Sequence, residues 1–326
     1  ERVLARPELG LLLALAILLT IARIKDPRFL SVGNLQGIAD DVAIMVILAV
    51  GEALVVITRN VDLSVGAVLG VSAFLTGDIF ATHPHANLAL VAFLAAALGA
   101  LCGLINGSIV SRGRVPALVA TLGTLYVIRG IDFGWAHGTQ INASQLPQSL
   151  LGIGTGTIVG LPLLAVFAVS IVGVCAATLR WYRSGRDLYA IGSSPAAARL
   201  VGLRVDRRVC AAFTISGAFA GIAGFLWTAR FGTVDATAGT GYEFQVIAAV
   251  VVGGVAILGG SGSVVGAALG ALLLGVISSV LPVLQLSSLW EQPIDGALLL
   301  AAIAMDRVFA RRVALILRRQ KGIRAI

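Results

Sequence analysis

Glu52 stands in Gly51-Glu52-Ala53-Leu54-Val55-Val56-Ile57, an otherwise apolar run. A carboxylate inside a bilayer is costly, and a sequence that keeps one there has a use for it. Such a group could carry a proton for an ion-coupled transporter, or act as a buried, hydrogen-bonded acceptor. No His or Lys stands inside an apolar run to partner it. Seven residues on, Arg59-Asn60-Val61-Asp62-Leu63-Ser64 interrupts the apolar sequence again. Asp62 or Ser64 could accept from the first amides of a following helix, or both could stand, with Asn60, beside a transport path. Asn106, Thr121 and Thr124 add polar groups to apolar stretches, suited to intrahelical bonding or to contact with a sugar.

Other combinations lead away from chemistry. Gly239-Thr240-Gly241, Val252-Gly253-Gly254 and Gly259-Gly260-Ser261-Gly262 are glycine-rich, but a phosphate loop needs a lysine after its glycines. The chain has only Lys25 and Lys321, so these glycines read as tight packing and a sharp reversal. His83-Pro84-His85 has no third ligand near it, and Cys102, Cys175 and Cys210 lie in or beside apolar runs without metal spacing, so no metal site is expected. No Ser–His–Asp or paired-carboxylate pattern supports catalysis, and the chain is expected to be no enzyme.

The elements that position these residues are membrane helices. With 326 residues, 58% hydrophobic and 12% charged, the sequence is that of an all-α polytopic membrane protein. Ten transmembrane helices are expected, at about 8–24, 39–58, 63–82, 87–110, 115–133, 160–180, 209–229, 243–259, 262–284 and 292–309. The first reads as a span and not as a signal peptide. The net charge of +8 is almost all arginine and fits loops against anionic lipid better than nucleic acid. With the N-terminus inside, 19 of the 24 basic residues fall on one side. Both termini, a basic tail at 310–326 and the segment 181–208 are then cytoplasmic, and the stretch at 134–159 is external. Ala96-Ala97-Leu98-Gly99-Ala100-Leu101 recurs as Ala267-Ala268-Leu269-Gly270-Ala271-Leu272, and Pro116 has a counterpart in Pro293. Spans 2–5 and 7–10 would then be two inverted repeats, although Ala, Leu and Gly can also match by chance.

The segment 181–208 is the one polar island amid long apolar flanks. Within it Ser194-Pro195 opens a run of Ala, Arg and Leu that Gly202 closes, the signature of a helix of about two turns with a serine cap and proline at its first position. A capped, arginine-bearing helix outside the bilayer is expected to touch a partner.

Together, TRNVDLSVG, PALVATLGTLYVIRGI, GRDLYAIGSSPAAARLVGL and IAAVVVGGVAILGGSGSVVGAALGALLLG resemble the membrane permease of ribose-type bacterial ATP-binding-cassette (ABC) sugar importers, over essentially the whole chain and in order. Arg59-Asn60, Leu125–Ile131 and GTGYE are most similar to the autoinducer-2 and rhamnose branch. Ribose permeases usually carry glycines at the positions of Arg59 and Asn60.

The resemblance implies an ABC importer permease fold in a single transmembrane domain, 1–326, of the bacterial cytoplasmic (inner) membrane. It implies as partners a second permease (homo- or heterodimer), two ATPase domains, and a periplasmic or lipid-anchored substrate-binding protein. ATP and Mg would sit on the ATPase, with no cofactor on this chain. It places ATPase coupling on Gly185, Arg186, Asp187, Tyr189, Gly192, Ala197, Ala198 and Arg199. On the substrate path it implies Asn60, Asp62, Ser64, Thr121 and Thr124, beside which Glu52 and Asn106 stand as intramembrane polar candidates. The rival expectation is an ion-coupled secondary transporter with Glu52 as its coupling group.

Overall fold

The computed structural model describes residues 7–302 and 304. The basic tail at 310–326 lies outside them, as do the N-terminal arginines. In chain order the helices are α1 (Pro7–Lys25), α2 (Val32–Ile57), α3 (Val65–Thr82), α4 (Leu88–Ser111), α5 (Ala117–Ala136), α6 (Gln148–Thr155) and α7 (Leu163–Trp181). They continue as α8 (Arg183–Ser193), α9 (Pro195–Leu200), α10 (Val205–Phe231), α11 (Tyr242–Val252) and α12 (Val264–Val283), with a last helical stretch at 291–302. Six of these, α3, α4, α5, α7, α10 and α12, are long and apolar enough to cross a membrane.

From Val42 to Ile57, helix α2 is apolar except for Glu52 and is buried almost without interruption, as a core helix should be. Helix α4 divides its faces. Val91, Ala95, Gly99, Gly103 and Gly107 recur every four residues and are buried, while Phe93, Leu101 and Ile105 point outward. The small stripe meets α10 backbone to backbone: a Cβ on Gly99 would strike the Gly217 carbonyl, and one on Gly217 would strike that of Gly99. Small residues within and large ones without is how helices pack when lipid is the solvent.

One expected span is corrected. The sequence suggested a helix over about 243–259, but α11 has 11 residues and ends at Val252. At 1.5 Å per residue that is about 16 Å, half the thickness of a bilayer core. Residues 253–263 instead form a compact reversal in which Gly254, Gly259, Gly260 and Gly262 take positive φ, a region open to glycine. Several of its amides are satisfied within the protein: Val255 donates to Val250, Ala256 to Ser261 and Gly259 to Ala256. The stretch at 134–159, read as an external loop, also holds α6 and β1 (Thr157–Ile158), which pairs with β2 (Leu161–Pro162) just ahead of α7.

Candidate functional site

The polar break after α2 folds inward. Glu52 accepts from the Asp62 amide at 2.9 Å, and Asp62 Oδ1 accepts from the Ser64 amide at 2.9 Å and the Ser64 hydroxyl at 2.7 Å. Asn106 of α4 donates to Ser64 Oγ at 2.8 Å. Thr121 of α5 accepts from the Leu63 amide at 3.1 Å and donates to Ala117 at 2.9 Å. Glu52, Asp62, Ser64, Asn106 and Thr121 are all buried, so the network ties α2, α3, α4 and α5 together. Asp62 thus holds the amide just before α3, in place of the Ser64 side chain, which makes no cap bond. Thr124 bonds within its own helix, to Thr121 at 3.1 Å.

Asn60 stands apart from this network. It donates to the carbonyl and hydroxyl of Thr58, each at 3.0 Å, and lines a cavity of about 810 Å³ with Arg59, Arg114, Pro195, Arg199 and Asp206. Arg59 and Arg114 both adopt left-handed backbone, φ 69° and 55°, uncommon for residues with a side chain.

The polar island is two helices. In α9, Ser194 accepts from the Ala197 amide at 3.3 Å, Pro195 is the first residue, and Gly202 takes φ 80°, as the sequence pattern requires. Helix α8 precedes it and fastens it to the membrane helices. A Cβ on Gly192 would strike the Ile57 carbonyl and the Gly260 amide, and Gly260 itself donates to Ile57 at 2.9 Å. Tyr189 donates to the Gly262 carbonyl at 3.0 Å, and burial pushes its phenol above the ordinary value, keeping it a donor. Asp187 receives Nε and Nη2 of Arg208 at 3.1 and 2.8 Å. Arg186 reaches back to the Trp181 carbonyl at 3.1 Å, where cationic groups meet the negative helix end.

The sequence model of the family described as branched-chain amino acid transport system / permease component matches residues 34–303. The chain belongs to this permease family. Among curated proteins it is similar to the autoinducer 2 import system permease protein of Escherichia coli O157:H7, 37% identical over 97% of this chain and 92% of that one. Its likeness to the autoinducer 2 import system permease protein of Enterobacter sp. (strain 638) is 38%, over 94% of this chain and 88% of that one. The ribose import permease protein of Escherichia coli (strain K12) is 36% identical over 90% of this chain and 92% of its own length. No solved structure matches the chain.

Within the permease, the residues expected to couple to an ATPase divide by exposure. Gly185, Asp187, Gly192 and Ala198 are buried and attach the island; Arg186, Ala197 and Arg199 face out; Tyr189 is between. The path candidates also divide: Glu52, Asp62, Ser64, Asn106 and Thr121 are joined in one network, while Asn60 and Thr124 are not. Sequence reading missed Gln245, Glu291 and Asp295, which line a second polar cavity. The signal was present, since Glu291 and Asp295 stand four apart at the start of an apolar stretch.

Proposed function

We propose that the chain is the transmembrane permease subunit of an ATP-binding-cassette importer and forms the translocation path for a sugar or sugar-like signal. The observation that carries this reading is the junction of Gly192, Ile57 and Gly260. It joins the two-helix platform to the end of α2 and to the loop after α11, so a push on the platform reaches the membrane core directly. Arg199 lies on that platform beside Leu200 and Val201, which are 89% and 77% exposed, and such a mixture of charge and bare apolar surface suits a protein partner. The relatives' names, for autoinducer 2 and ribose import, support a sugar-like cargo.

In this reading the platform docks one of two ATPase domains, which carry ATP and Mg, while the chain itself binds no cofactor and catalyses no covalent step. A second permease completes the path, and a periplasmic or lipid-anchored binding protein delivers the cargo. Both termini and the island face the cytoplasm of a bacterial inner membrane, as the arginine distribution favours. Ten helices cross or enter the bilayer, in two inverted halves that run from α2 to α5 and from α10 to the stretch at 291–302. Two features support such halves. Helices α4 and α12 share the Ala-Ala-Leu-Gly-Ala-Leu motif, and the starts of α3 and α11 meet, with Gly66 against Glu243.

Glu52 is wholly buried, with one oxygen accepting from the Asp62 amide, and the relatives, named for import systems, give the ion-coupled alternative no support. The test is reconstitution in liposomes. The permease with its ATPase and binding protein should accumulate sugar only when ATP is present, and uptake by the permease alone on a proton gradient would overturn the reading.

A further inference from the structure

The cavity of about 810 Å³ beside Asn60 brings together arginines from three separate segments. Arg59 comes from the turn after α2, Arg114 from the turn between α4 and α5, and Arg199 from α9. Asp206 is the acidic residue that lines it, and Asp206 is paired with Arg199 at 3.1 Å. Among the described residues, Arg59 and Arg114 enter no ion pair. Three guanidinium groups thus line the hollow against one carboxylate.

The two unpaired arginines are set in place through the backbone. A Cβ on Gly259 would strike the amide nitrogen and Cα of Arg59, so the reversal after α11 packs directly on that residue. The amides on either side of Arg114, those of Gly113 and Val115, donate to Ser108 at 3.2 Å and to Ile109 at 3.4 Å. They fold the turn back onto the end of α4.

Helix α5 also begins at this hollow. Pro116, Ala117 and Leu118 line it, and the Val119 and Ala120 amides both donate to the Pro116 carbonyl at 3.0 Å. The Ala117 and Leu118 amides have no backbone acceptor, so the positive end of a 20-residue helix adds two donors to the guanidinium groups. Forked guanidinium groups beside a helix N-terminus are a donor set matched to a phosphate group. Val61, Val110, Ile191 and Val209 supply apolar wall, and the volume leaves room for what the phosphate is attached to.

We infer that this hollow is a phosphate-binding site, in which Arg59 and Arg114 grip the oxyanion and the first amides of α5 complete its hydrogen bonding. Its ligand is a phosphate ester, either a small soluble one or the headgroup of an anionic lipid. The bound group joins the turn after α2 to the turn before α5, so occupancy stabilises the folded protein. The site stands on this geometry and not on the import reading.

The test uses the full-length permease in phosphatidylcholine nanodiscs, with melting followed by tryptophan fluorescence. A soluble ligand is shown if D-ribose 5-phosphate raises the melting temperature by a few degrees and D-ribose does not. A lipid ligand is shown if the same rise comes from replacing part of the phosphatidylcholine with phosphatidylglycerol. Arg59→Asn and Arg114→Asn, each compared with its own unliganded melt, should abolish the rise; asparagine tolerates the left-handed backbone at both positions. Arg112→Asn, on an exposed residue outside the hollow, should keep it. The inference fails if neither phosphate source raises the melting temperature, if the rise survives in both hollow variants, or if Arg112→Asn removes it equally.

Discussion

The amide of Gly260 donates to the carbonyl of Ile57 at 2.9 Å, joining the loop after α11 to the last turn of α2. Gly192 of the island packs on that bond so closely that none of its neighbours could move aside for a side chain. Three segments far apart in sequence therefore meet through backbone alone. Backbone contacts transmit displacement with little slack, because no rotamer can absorb it.

Gly192→Ala should break this junction. The added methyl meets backbone atoms on two sides, and overpacking of this kind costs about 1–3 kcal/mol. We expect a lower melting temperature in detergent and ATP-driven uptake reduced to background. Unchanged uptake would show that the junction does not carry the coupling.

Glu52→Gln keeps an acceptor for the Asp62 amide and removes the ionisable carboxyl. Uptake should stay close to that of the native permease, whereas Glu52→Leu strands the amide at a cost of about 1–3 kcal/mol. A Gln variant that inserts and melts normally but abolishes uptake would point to a proton-carrying role instead.

Arg199→Glu reverses a charge on the exposed face of α9. Its bond to Asp206 at 3.1 Å is solvent-exposed, and such pairs add little to stability, so the fold should persist. Copurification of the ATPase and uptake should both fall. If both survive, the platform docks its partner elsewhere.

Gly103→Val should separate α4 from α10. A Cβ at 103 already strikes the Phe213 carbonyl, and the branched side chain adds to the clash. The expected result is loss of the monodisperse folded protein on size-exclusion chromatography. Val substituted at Gly123, where a Cβ meets nothing, should leave the elution profile unchanged.

Much of this organisation was legible in the residues. Apolar runs of bilayer length marked the long helices, because burying a backbone in lipid leaves a helix few alternatives. The serine cap, Pro195 and Gly202 marked α9, because capping is local chemistry within one turn. The end of α11 was not legible: Val251-Val252-Gly253-Gly254-Val255 is apolar throughout, and hydropathy does not say where a helix gives way to a buried glycine turn.

What the sequence determined by itself was therefore local or additive: the long apolar helices, the caps and the polar island. Tertiary structure decided which polar residues meet. Only packing brought Asn106 of α4 and Thr121 of α5 to the Asp62 turn, set Gly192 on Ile57 and Gly260, and gathered Gln245, Glu291 and Asp295 around one hollow. The physical reason is that a helix's period is written in its own residues, whereas a contact between helices depends on how closely two backbones can approach. That distance is set by small residues on both partners at once.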